Sequence, residues 1–116
     1  MLIYKIFRPS EWEALRADGT TQGAPIDLAD GFIHFSTEDQ VRETVALHFQ
    51  DAGDLVLAAV EEDALGEDLR WEPSRGGALF PHLFRALSMS DVAWTVTLPQ
   101  TTEGHEFPAS LTEAPA

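Results

Sequence analysis

No cysteine occurs among the 116 residues of the chain, which excludes disulfides, a thiol nucleophile and thiolate-bound zinc. No apolar stretch reaches the roughly 18 residues that a membrane-spanning helix needs. The N-terminal MLIYKIFRPSEWEAL lacks the basic region, apolar core and small-residue cleavage site of a signal peptide. A cytoplasmic location is expected on those grounds. Cations are scarce: seven lysines and arginines stand against 20 acidic residues, a net charge of −13. Such a field repels polyphosphates, so neither nucleic acid nor an anionic membrane is expected as a partner. A small anion is admissible only in a pocket where cations gather locally. There is no Walker loop, no G-x-G-x-x-G after a strand, no G-x-S-x-G elbow and no internal repeat.

What is present reads as one small globular domain, with ordinary hydrophobic (44%) and charged (23%) fractions. LIYKIF, residues 2–7, reads as a first strand. A short helix follows, with Ser10 and Glu13 as a capping box, Trp12 and Leu15 on one face, and Gly19 at its end. Residues 20–30, TTQGAPIDLAD, read as a loop of turn formers. GFIHFST, residues 31–37, is a second strand. Thr37 and Gln40 form another capping box, opening a helix over about 38–50 with Val41, Val45 and Phe49 buried. DLVLAAVE, residues 54–61, is apolar on both faces, as a central covered strand is. A short strand fits 69–72, and Pro81 confines LFPHLFRAL to an edge or a strand start. VAWTVTL, residues 92–98, alternates with Val92, Trp94, Val96 and Leu98 inward. The order implies an α+β domain over residues 1–98, with residues 99–116 as a loosely held tail.

Two segments carry chemistry. In GFIHFST, strand alternation puts Phe32, His34 and Ser36 on one face and Ile33 and Phe35 on the other. An imidazole followed by the hydroxyls of Ser36 and Thr37, at the entrance to a helix N-terminus, suits a phosphate, a carboxylate or a ribose hydroxyl. The other reading is a core histidine satisfied by its neighbours. In LRWEPSRGGALFPHLFRAL, three of the seven basic residues (Arg70, Arg75 and Arg85) fall within 16 positions. Trp71 offers a stacking face, Glu72 a general base or a sugar contact, and His82 lies between two phenylalanines. The alternative is a surface loop whose arginines pair with surplus carboxylates. His48 reads as a boundary residue and His105 as a tail residue without a specific role. The spacings of His34, His48 and His82 match no metal motif, so no metal is expected.

The ordered motifs IYKI, EW, GFIHFST, DLVL, LRWEPS and FPHLFRAL, spanning residues 2–98, resemble the bacterial family called domain of unknown function 952. That family is similar in fold to ADP-ribosyltransferases and RNA 2′-phosphotransferases. The resemblance implies a split, curved, mainly antiparallel sheet with two main helices packed outside and an NAD-binding cleft. It implies that His34 and Ser36 match the histidine-x-serine of RNA 2′-phosphotransferases, and that Lys5 stands where relatives place an arginine or histidine. Glu72 and His82 would face the same cleft. VAWTVTL carries no carboxylate where many ADP-ribosyltransferases have one, and Glu72 is the nearest substitute.

Two readings follow. One is an ADP-ribosyltransferase-like enzyme acting on NAD or an ADP-ribosylated small molecule. In it His34, Glu72 and His82 are catalytic, and Lys5, Ser36, Thr37, Trp71, Arg75 and Arg85 hold the nucleotide. The other is a non-catalytic module binding a nucleotide or another small anion. Both require the His34 and His82 segments to line one cleft.

Overall fold

The computed structural model describes residues 1–112. It is an α+β fold in which every strand pairing among those residues is antiparallel. The elements run β1 (Leu2–Phe7), α1 (Pro9–Asp18), β2 (Thr20–Thr21), α2 (Pro25–Asp30), β3 (Ile33–His34) and α3 (Glu38–His48). They continue with β4 (Leu55–Glu61), α4 (Glu62–Leu65), β5 (Leu69–Pro73), β6 (Leu79–Leu83), β7 (Leu87–Ser88), β8 (Val92–Leu98), β9 (Gln100–Thr101) and β10 (Gly104–His105). One three-stranded sheet has the order β1-β4-β8 and another β3-β6-β5; β2 pairs with β7 and β9 with β10.

β4 is central and covered on both faces, as its apolar sequence implies. Ala58 and Val60 join one core with Ile3, Phe7, Leu15, Ile33 and Leu83. Leu55, Leu57 and Ala59 join a second with Tyr4, Ile6, Val41, Val45 and Leu98. Thr37 caps α3 as expected, its backbone N–H donating to Gln40 Oε1 at 3.0 Å.

Several local expectations are corrected. α1 starts at Pro9, not after Ser10. Proline suits the first helical position because its missing N–H would have no partner there, and the Arg8 N–H donates to Glu11 Oε1 at 2.8 Å. The loop expected at 20–30 contains β2 and α2. Pro25 opens α2, the Ala24 N–H donates to Asp27 Oδ2 at 2.7 Å, and Gly31 closes it in the left-handed conformation at φ 85°. Gly23 is required just before it: a Cβ there would lie 2.4 Å from Asp27 Oδ2.

β6 is the centre of its sheet, although it contains Pro81. The proline is tolerated because the β3 ladder ends at His34↔His82. Pro81 contributes only its carbonyl, accepting from the Phe35 N–H at 3.0 Å. Residues 99–112, expected as a loosely held tail, carry β9 and β10 and touch the rest of the fold at particular points. Leu111 is fully buried in the second core, and its carbonyl accepts from the Tyr4 hydroxyl. His105 Nε2 meets the Gly53 carbonyl at 2.7 Å. Burial first, with the Glu38 and Glu61 carboxylates adding, pushes the Tyr4 phenol above its usual pKa. Residues 113–116 lie outside the described residues.

Candidate functional site

The two sheets touch at one rung. The Tyr4 N–H donates to the Ser36 carbonyl at 2.8 Å and the Ser36 N–H to the Tyr4 carbonyl at 2.9 Å. Continued in register, Lys5 would face Phe35 and Ile6 would face His34. Those rungs are not formed. The strands part instead, and all four residues line a cavity of about 720 Å³. β6 supplies Phe80 and His82 to its wall, α3 supplies Thr44 and His48, and α2 roofs one side with Pro25 and Ile26. The volume lies within the 300–1,000 Å³ range of small-molecule sites.

Counted by its lining side chains the cavity reverses the charge balance of the chain, although each lining cation also meets a carboxylate: Lys5 meets Asp27, Arg8 meets Glu11 and Arg75 meets Glu43. Lys5, Arg8 and Arg75, three of seven cations, line it together with three of the four histidines. Glu11 is the one lining carboxylate.

The histidine segments meet across β3 and β6. His34 and His82 are cross-strand partners whose rings contact edge to face, with centroids 5.4 Å apart. Phe32 stacks on His82 at 4.1 Å. Ile33 and Phe35 turn into the core, as the alternation of GFIHFST requires. His82, 4% exposed, places Nδ1 2.8 Å from Glu72 Oε1.

Asp27, 1% exposed, organises the His34 side and was not singled out from the sequence. Its Oδ1 accepts from the His34 backbone N–H at 3.0 Å and meets His34 Nδ1 at 2.6 Å. Its Oδ2 accepts from Lys5 Nζ and from the Ala24 N–H, both at 2.7 Å. Burial alone would raise the pKa of this carboxyl. The hydrogen bond from His34, the charge of Lys5 and its hydrogen bond, and the His34 N–H outweigh that and lower it to about 2. Asp30, at the end of α2, brings Oδ2 within 2.9 Å of His34 Nε2. Asp27 and Asp30 are three apart in PIDLAD, one helical turn, and that spacing was the available signal.

A third polar group closes the opposite wall. Thr44 Oγ1 donates to the Gln40 carbonyl at 3.1 Å and meets Ser36 Oγ at 2.9 Å. Arg75 Nη2 donates to the same Thr44 oxygen at 3.3 Å, while its Nε lies 2.9 Å from Glu43 Oε1. Its guanidinium lies over Phe80 at 4.9 Å.

The structure therefore brings together Lys5, His34, Ser36, Arg75 and His82. Four expected residues fall elsewhere. Trp71 packs on the first core, because strand alternation turns it away from Arg70 and Glu72. Glu72 reaches the site only through His82. Thr37 is spent on the α3 cap. Arg85 is committed to Asp91, at 2.9 Å and 3.2 Å, and to Asp68 at 3.6 Å. Burial opposes ionisation of Asp91, but the hydrogen bond from Arg85 prevails and lowers its pKa. Among the described residues, no group of three or more histidine, aspartate or glutamate side chains is disposed to hold a metal ion.

The family described as Protein of unknown function (DUF952) matches residues 6–95. The chain is similar to protein CC0527 from Caulobacter crescentus. Its crystal structure is 50% identical with a TM-score of 0.87, the match covering 90% of this chain and 92% of that one. Its solution NMR structure is 51% identical with a TM-score of 0.80, covering 90% of each chain. No curated protein matches.

Proposed function

The chain belongs to the DUF952 family, and on that premise we propose that its pocket binds a small organic anion of nucleotide size. The observation that carries this reading is the local reversal of charge. A molecule of net charge −13 gathers three of its seven cations around one cavity that has a single lining carboxylate. Arg75 and the hydroxyls of Ser36 and Thr44 suit phosphoryl or carboxylate oxygens. Phe80, Phe49 and Ile26 suit the flat apolar part of a nucleoside. NAD belongs among the candidate ligands. The resemblance would have Glu72 support its ribose, yet that carboxylate is bonded to His82, so binding is better supported than glycosidic cleavage.

The test is thermal unfolding with AMP, NAD or inorganic phosphate. A ligand at a hundredfold excess over its Kd stabilises the fold by about 2.7 kcal/mol. Arg75→Gln should weaken AMP binding about tenfold to a hundredfold, the worth of a charged hydrogen bond. If none of these ligands shifts the transition at millimolar concentration, the reading fails.

A further inference from the structure

Each of the two facing histidines has Nδ1 against a carboxylate: His34 on Asp27 at 2.6 Å and His82 on Glu72 at 2.8 Å. A carboxylate at Nδ1 holds a proton on that nitrogen and leaves Nε2 as the atom that exchanges protons. Two imidazoles oriented alike, in edge contact on one wall of a cation-lined pocket, are more than an anion needs for binding. Asp30 covers His34 Nε2 from the rim, where it is half-exposed. A contact at such exposure is worth no more than about 1 kcal/mol, so substrate can displace Asp30. His34 acts as a base only once Nε2 has shed the proton that it shares with that carboxylate.

Resting on the anion-binding reading, we propose that the pocket hydrolyses a small phosphodiester, with His34 and His82 as the acid–base pair. His34 Nε2 takes a proton from water as the water oxygen bonds to phosphorus. The phosphorus–oxygen bond to the departing alcohol breaks, and that oxygen takes the proton from His82 Nε2. The products are a phosphate monoester and an alcohol, and the two imidazoles regain their starting protonation by exchange with solvent. Arg75 balances the charge on the phosphoryl oxygens. Asp27 and Glu72 are positioning residues. The substrate is small because the chain's charge opposes a polymer.

The experiment incubates the full chain with bis(4-nitrophenyl) phosphate and, separately, with a 2′,3′-cyclic nucleoside monophosphate. Alcohol release is followed against pH, with AMP stabilisation measured in parallel. Charged and titratable groups facing His34 are Asp27 and Asp30 from α2, Lys5 from β1 through Asp27, and His82 from β6. Those facing His82 are Glu72 and its cross-strand neighbour Arg70, both from β5. We expect saturable turnover with a bell-shaped profile. His34→Gln should remove the acidic limb and His82→Gln the alkaline limb, each lowering kcat/KM about a hundred- to ten-thousandfold. Asp30→Ala uncovers the Nε2 of His34, and its kcat/KM should exceed that of the wild type. AMP stabilisation without turnover of either probe, turnover indifferent to both histidines, or no gain of rate in Asp30→Ala would each overturn the catalytic proposal and leave binding intact. Absence of both stabilisation and turnover would remove the two readings together.

Discussion

Asp27 shows how one side chain couples stability to the site. Its pKa falls from 3.8 to about 2 in the fold. A depressed carboxyl stabilises above its unfolded pKa, and that contribution is lost as pH falls through the folded value. Here it amounts to about 2 kcal/mol, present above pH 4 and lost toward pH 2. Urea unfolding across that range should show a decline smaller by about this amount in Asp27→Asn than in wild type, the remainder coming from other depressed carboxyls such as Asp91. At neutral pH the variant should be about 3–5 kcal/mol less stable, because Lys5, 6% exposed, keeps a buried charge without its partner. Adding Lys5→Met should restore part of the loss. An Asp27→Asn variant as stable as wild type would show that the pair is not coupled to folding. At this scale the sequence was partly legible. His34, Ser36 and His82 stood out because a polar side chain inside an apolar strand calls for a reason. Asp27 did not, because only tertiary contacts make a carboxylate in PIDLAD a buried one. Trp71 was misplaced although period-two alternation against Glu72 already turned it away.

Among the elements, β1, α3, β4, β5 and β8 were readable from hydrophobic period or caps, although a register shift opposite Ala59 and Val60 turns Val92 to the first core while Trp94, Val96 and Leu98 pack on the second. α2, with six residues and no full apolar stripe, was not; its existence depends on Pro25, Gly31 and the grip of Asp27. The terminal segment lacked periodicity because it is held at points rather than along a face. Leu111 is one such point, and Leu111→Ala should cost about 2–5 kcal/mol by denaturant unfolding, as for other buried leucines. A change below 0.5 kcal/mol, the size of an ordinary surface substitution, would mean the segment is not anchored there.

For the whole molecule, the proposed binding reading implies that charge separates small from large anions. The acidic exterior and cation-lined interior predict no retention of single-stranded RNA or duplex DNA in a gel-shift assay at low salt. AMP should still bind, its affinity falling modestly as salt rises and screens the cations. Tight RNA binding at low salt would contradict this picture. No described helix is long and apolar enough to cross a membrane.

The single rung between Tyr4 and Ser36 also sets how the chain tolerates change in length. Side chains alternate along the segment it fastens, so one residue added between Gly31 and Ser36 would exchange the two faces. The imidazole would be driven into hydrocarbon, and Phe35 would plug the space it left. This seven-residue stretch is therefore expected to keep its count.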